Sequence, residues 1–421
     1  MDKNTERICT AILEKELVPA LGCTEPIALA FAAAKAREVL GCFPERMELD
    51  CSGNIVKNVR GVTIPNSGGL MGVDSAVILG AVGGNAADEL KVLESVTAAD
   101  TEKTGELKKT DFLRCRLKEG VANLYIDVRA YAGEHSAEVR IVNRHTLITR
   151  IVKDGEVLFH KDPVEKKPEH DTDGLSIRSI LEYAGSVDVE RIKPVLLTQV
   201  RTNLKISDEG LRSDYGARIG KTILEVGGDG VRSRAAARAA AGADARMNGC
   251  SLPVIINSGS GNQGLIVSMP VYEYAREWNV GEDRFCRALA VSNLLSVYQK
   301  HYIGSLSAFC GAVTAASAAG AAITWMAGGD YDAVCRTITN TLANVGGIIC
   351  DGAKSSCAAK MASAVDAAIL GHELSMRGIA FRPGEGIVSS DTENTVRNVG
   401  YVGRVGMKNT DIEVLNLMLE N

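Results

Sequence analysis

Four cysteines in this chain stand where a thiol can do chemistry. In Gly346-Gly-Ile-Ile-Cys-Asp-Gly-Ala-Lys-Ser-Ser-Cys357, Cys350 is pinned between glycines, and Cys357, seven positions on, opens an Ala-rich helical run. Cys310 lies forty residues upstream of Cys350, in Ser305-Leu-Ser-Ala-Phe-Cys-Gly311. Three thiols on turns between small-residue helices suggest a soft-metal site with one coordination position left free. Structural zinc closes four ligands, usually in two short CxxC-type knuckles, and neither knuckle is present. His301 and His372 are within sequence reach as further ligands. Three unrelated buried cysteines are the plain alternative. A cubane iron–sulfur cluster with one iron uncoordinated by protein fits the count better, and such an iron is a Lewis acid that can polarise a leaving group.

The fourth thiol, Cys23, belongs to Ala20-Leu-Gly-Cys-Thr-Glu-Pro26, ahead of the helical run Ile27–Lys35. Thr24 is a natural N-cap and Pro26 suits the first turn, so Cys23 is expected on the turn before a helix N-terminus. The positive end of the helix dipole there favours thiolate, although a buried structural cysteine is an equal reading. Two segments, Ser52-Gly-Asn-Ile-Val-Lys-Asn58 and Thr63-Ile-Pro-Asn-Ser-Gly-Gly69, read as Asn-bearing glycine turns. Such turns offer donors to a polar ligand and also occur in ordinary loops. Leu252-Pro-Val-Ile-Ile-Asn-Ser-Gly-Ser-Gly-Asn-Gln-Gly264 runs from an apolar stretch into a Ser/Gly/Asn turn that a helix should follow. Its backbone N–H groups suit an anion, but no Gly-Lys-Ser/Thr follows and the GxGxxG spacing is missing.

The elements that must position these residues can be read from periodicity. Ile8, Ile12, Leu13 and Leu17 recur at helical spacing over residues 3–20. Met47–Ser52 alternates like a strand, and helical patterns resume from Asp74 to Val96. Residues 122–131, 136–142 and 146–152 alternate with period two, and Val157–Phe159 follows the Asp154-Gly155 turn as a further short strand. The Lys-, Glu- and Pro-rich stretch from His160 to Asp173 reads as a linker, and beyond it the pattern is almost entirely helical. The arginines of Val231–Ala241 read as a solvated or inter-helix face. The fold class expected is α+β: a mainly helical catalytic domain and a smaller antiparallel α+β domain. N-terminal helices (1–44) pack with the catalytic domain, the smaller domain spans 45–165, and the helical one spans 166–421.

Composition narrows the function. The net charge is −5, from 47 basic and 52 acidic residues, with no pronounced basic block, which argues against a nucleic-acid partner. The acid-bearing N-terminus lacks the apolar run of a signal peptide, so a cytoplasmic location is expected. No charge occurs from Tyr302 to Gly329, but the stretch is mostly Ala, Gly, Ser and Thr. A helix buried in a bundle fits that composition better than a membrane span. Gly/Ala-rich helical faces are compatible with a homo-oligomer.

Gly22-Cys-Thr-Glu-Pro26, Ser52–Asn58, Gly261-Asn-Gln-Gly264 and the set Cys310…Cys350-x6-Cys357 together resemble the L-cysteine desulfidase family, over essentially the whole chain. That family is related to the α domain of the iron–sulfur L-serine dehydratases. The resemblance implies a [4Fe-4S] enzyme without pyridoxal phosphate, in which Cys310, Cys350 and Cys357 match the cluster ligands. Cys23 matches the family's additional cysteine near the substrate. The implied reaction is α,β-elimination, L-cysteine giving hydrogen sulfide and aminoacrylate, which hydrolyses to pyruvate and ammonia. The amino-acid substrate then needs polar contacts, for which Thr24, Glu25, Asn54, Lys57, Asn58, Ser258, Asn262 and Gln263 are the candidates. An L-serine dehydratase is the first alternative. The others are a pyridoxal-phosphate lyase, with Asn257–Gly264 as phosphate cup and Lys354 or Lys360 as Schiff base, and a non-enzymatic iron–sulfur sensor.

Overall fold

The computed structural model describes residues 3–162, 175–304 and 307–420. Its first part runs α1 (Lys3–Glu16), β1 (Pro19–Leu21), α2 (Thr24–Leu40), β2 (Arg46–Cys51), α3 (Gly53–Val59), α4 (Val73–Gly83) and α5 (Ala98–Leu107). The strands β3 (Leu113–Leu117), β4 (Tyr125–Ala132), β5 (His135–Val142), β6 (Ile148–Lys153) and β7 (Glu156–His160) follow. The second part runs α6 (Ile177–Ser186), α7 (Val189–Arg212), α8 (Ile219–Gly227), α9 (Val231–Met247), β8 (Pro253–Ile255), α10 (Gly261–Glu277) and α11 (Glu282–Ile303). It ends with α12 (Gly311–Met326), α13 (Tyr331–Val345), α14 (Cys357–Met376), α15 (Thr392–Tyr401) and α16 (Lys408–Glu420). The expected α+β class, mainly helical with a smaller sheet unit, is what the chain adopts. The domain boundary expected at 165/166 falls outside the described residues.

The strands β3-β2-β4-β5-β6-β7 form one sheet in that order. Its hairpins are antiparallel as the alternation requires, and Asp154 (φ 49°) and Gly155 (φ 84°) make the tight β6–β7 turn. The edge pair β2–β3 is parallel, so the sheet is mixed and not purely antiparallel. The connection from β2 to β3 runs through α3, α4 and α5, long enough to return the chain in the same direction. The helical pattern expected over 74–96 stops at Gly83 and gives way to a 3₁₀ segment at Ala86–Lys91. The Gly53–Asn58 segment expected as a turn is helix α3.

Two hydrophobic cores result. One gathers α1 with α6, α7 and α9–α15; the other gathers α2, α3 and α4 against β2, β4 and β5. Residues 1–44 therefore divide, α1 packing with the helices and α2 against the sheet. The uncharged run becomes α12, packed among α10, α11, α13 and α14. Gly320 lets α12 approach the Ala368 carbonyl of α14, where a Cβ would sit 2.8 Å away. Among the described residues no helix is long and apolar enough to cross a membrane. Between the two cores lies a third, small cluster of Cys23, Val62 and Met247, with Ala353 and Cys357 against it. It marks where the chemistry-bearing segments meet.

Candidate active site

Backbone pairing brings distant segments to this seam. β1 pairs antiparallel with β8, which draws the Cys23 turn to the loop after Ile255. Thr24 Oγ1 then donates to the Gly259 carbonyl at 3.3 Å. A short antiparallel bridge between Phe309 and Ile349 aligns the other two loops. Cys310 N donates to Ile348 O at 3.0 Å and Cys350 N to Ala308 O at 2.6 Å, setting the two cysteines side by side. Gly352 must be glycine: its φ is +95° and a Cβ would collide with the Lys57 carbonyl of α3.

Three of the four cysteines occupy helix N-termini. Cys23 is the N-cap of α2, Cys310 the N-cap of α12, and Cys357 the first residue of α14. Three positive dipole ends thus face one small region, which favours anionic sulfur or an anionic ligand there. The capping position expected for Thr24 is taken by Cys23, because the Thr24 hydroxyl is used at Gly259 and, at 3.1 Å, on Glu25 Oε2.

The thiols differ in state. Burial, with the adjacent Glu25 carboxylate, drives the Cys23 pKa well above its ordinary value. The helix dipole that favours thiolate at Cys23 is overridden, and Sγ donates to Glu25 Oε2 at 3.0 Å. For Glu25 burial opposes ionisation, but His145 and the Cys23 thiol outweigh it and hold the carboxyl at about 2. His145 Nε2 stands 3.7 Å from Glu25 Oε1. Cys310 and Cys350 are in mutual contact; proton sharing pushes Cys310 up and Cys350 down. Cys357 is raised by burial and feels Cys350.

Cations complete the surroundings. Lys57 donates to Cys350 O at 3.4 Å and pairs with Asp411 of α16, with only 2% of its side chain exposed. Lys300 of α11 is buried, which lowers its pKa, while Cys350 and Cys310 oppose that change. Lys354 and Lys360 both pair with Asp351.

Of the residues singled out by sequence, Cys23, Thr24, Glu25, Lys57, Asn262, Gln263, Cys310, Cys350 and Cys357 line this one region. Asn54 stands behind Lys57, its Nδ2 donating to Asp411 Oδ2 at 2.9 Å, and Asn58 Nδ2 turns back to Asn54 O within α3. Ser258, at φ +50°, gives its hydroxyl to Asn257 Oδ1 at 2.9 Å. His372 bonds Thr324 in the helical core and stacks near Tyr274 and Trp278. Sequence reading passed over Arg246, His145, Lys300 and Asp411, which reach the seam from four separate elements. Only the isolation of Arg246 beyond the Ala/Arg run offered a local signal. Arg234 and Arg238 of that run do form an inter-helix face, both on the buried Glu273 of α10.

Comparison with known proteins follows the same outline. The profile of the serine dehydratase alpha chain family matches residues 87–416. A UPF0597 protein of Lachnoclostridium phytofermentans is 50% identical over 97% of this chain and 98% of its own. One from Finegoldia magna is 46% identical over 98% of this chain and 99% of its own. One from Treponema denticola is 44% identical over the full length of both.

Proposed function

The chain belongs to the serine dehydratase alpha chain family, and from that premise we propose that it is an iron–sulfur lyase that eliminates the β-substituent of a small α-amino acid, L-cysteine being the substrate. The products are hydrogen sulfide, pyruvate and ammonia. The observation that carries the reading is the meeting of half-buried Cys310, Cys350 and Cys357 with buried Cys23 at one seam. Among the described residues no three His, Cys, Asp or Glu side chains converge as the ligands of a single ion would. A polynuclear cluster spreads its ligands over several irons, and a soft, half-buried, three-thiol donor set beside Lys57 and Lys300 suits it.

Cys310, Cys350 and Cys357 would hold a [4Fe-4S] cluster, which when bound supplies a Lewis-acidic iron that polarises the β-substituent. The chain's own residues do the rest. Lys57 and Lys300 offset the negative charge of the thiolates. Cys23 is the acid–base residue of this reading: its Sγ donates to Glu25 Oε2 at 3.0 Å, which fixes its position, and as thiolate it would accept the α-proton. The apolar side chains of Val62 and Met247 keep water from that exchange. In this reading residues 166–421 hold the cluster, while the smaller unit at 45–165 brings Lys57 and His145 to it.

Anaerobically purified protein should carry about four irons per chain and release sulfide and pyruvate from L-cysteine. Cys350→Ala should lose the iron, whereas Cys23→Ala should keep it and lose turnover. Full iron content in Cys350→Ala would falsify the ligand assignment. The family's description favours a second substrate, L-serine. Pyruvate from serine without sulfide from cysteine would move the assignment there.

A further inference from the structure

The buried arginine in the last turn of α9 has no ion-pair partner among the described residues. Arg246 is 2% exposed and forms no ion pair among the described residues. One guanidinium nitrogen donates to Asn262 Oδ1 at 2.9 Å, and Nε has no partner at all. The same helix shows how its other cations are treated: Arg234 and Arg238 share Glu273, and Arg232 holds Asp366. A buried, unpaired guanidinium is strongly unfavourable unless a ligand brings the opposite charge.

Its neighbours are built for an anion. Gly261, the first residue of the 17-residue α10, lies so close that a Cβ there would collide with Arg246 Nε. The first-turn N–H groups of α10 and its positive dipole end therefore flank the guanidinium. Gln263, one residue beyond Asn262, is 5% exposed and its Oε1 is also unpartnered. That side chain rests on Gly311, next to Cys310. On the other side Met247 packs against Cys23. The unsatisfied donors and acceptor thus run from Arg246 toward the cysteines.

We propose that Arg246, with the first turn of α10, receives the α-carboxylate of the amino-acid substrate, while Gln263 Oε1 accepts from its α-ammonium. This assignment rests on the amino-acid lyase reading above. A carboxylate on the planar guanidinium fork leaves the β-carbon directed to the Cys310 side of the seam, where elimination is proposed. Arg246 is on this account a specificity residue: it selects free amino acids over their amides.

The test uses full-length, anaerobically purified protein and two ligands without a leaving group, L-alanine and L-alaninamide, measured by calorimetry. Wild-type protein should prefer L-alanine by roughly 100-fold. Arg246→Gln should abolish that preference, leave alaninamide binding unchanged and retain its iron; Arg246→Lys, which keeps charge but not the fork, should fall between. Gly261→Ala, which displaces an intact guanidinium, should show the same selective loss and guards against a misfolded Arg246 variant. Equal loss for both ligands, or a preference that survives in Arg246→Gln, overturns the proposal. So does inorganic phosphate binding more tightly than L-alanine. Arg246-dependent discrimination without turnover of any amino acid would sink the lyase reading and leave the carboxylate pocket standing. Turnover with undiminished discrimination in Arg246→Gln would do the reverse.

Discussion

Replacing Asp411 by Asn should reveal how the C-terminal helix supports the cysteine seam. Lys57 is buried, its side chain 2% exposed against 14% for Asp411. Its other partner is the Cys350 carbonyl at 3.4 Å, so among the described residues the ammonium has no second carboxylate as partner. Breaking a buried pair by removing one charge costs roughly 3–5 kcal/mol. The molecule has one way to soften that loss. Helix α16 buries no residue of its own and packs on α3 and the Val402–Gly406 turn, so it can lift and let water reach Lys57. The expected loss is therefore at the lower end, about 3 kcal/mol. With an unfolding entropy of about 2.1 cal/mol/K per residue over 421 residues, that corresponds to a fall in Tm of about 3 °C. Differential scanning calorimetry measures the shift, and faster tryptic cleavage near Lys408 should report the lifted helix. Salt should change the difference little, because a buried pair is poorly screened. The double replacement Lys57→Met/Asp411→Leu should recover most of the loss, since no uncompensated charge remains. An Asp411→Asn protein within about 0.5 kcal/mol of wild type would refute the reasoning.

Three further outcomes follow from local geometry. Glu25→Gln should destabilise by about 3 kcal/mol near neutral pH, from a carboxyl whose pKa falls from 4.5 to about 2 on folding. A depressed pKa stabilises above the ordinary value and loses that stabilisation as pH falls, so the difference from wild type should shrink between pH 4.5 and about 2; urea titrations across that range measure it. Cys42 is exposed and Cys23 buried, so iodoacetamide followed by mass spectrometry should label Cys42 quickly and Cys23 only after unfolding. Gly264→Ala should cost about 1–3 kcal/mol and loosen the Asn262–Gln263 turn. Its Cβ would enter the Ile255 carbonyl where α10 meets β8; chemical denaturation gives the cost, and no loss would remove that contact from the site's support.

The strands of the sheet unit, the helical second part and the candidate cysteines were legible because each has a local signal. Alternation over residues 125–142 and the uncharged Ala/Gly run of α12 express burial directly in residue type. The glycines around Cys350 express a turn, and Gly352 at φ +95° bears that out. Misreadings arose where local signals compete. Gly53 and Asn54 look like turn residues, yet they begin α3, because Ile55 and Val59 are drawn into the sheet unit's core. The parallel β2–β3 edge had no alternating signature on the exposed β3.

For the site, the sequence by itself determined which atoms are available: soft thiols, small residues that let helices start close together, and a loop rich in N–H donors. Only the tertiary structure decided their states and company. Cys23 lies at a helix N-terminus, where the local field favours thiolate, yet burial beside Glu25 keeps its proton on sulfur. Arg246 resembles any other arginine of an Ala/Arg helix until folding closes α10 over it, with no ion-pair partner among the described residues. The physical reason is the same in both cases. Periodicity and propensity report a residue's local preference, whereas desolvation and countercharge depend on which segments the fold brings together, and at this seam those tertiary terms outweigh the local ones.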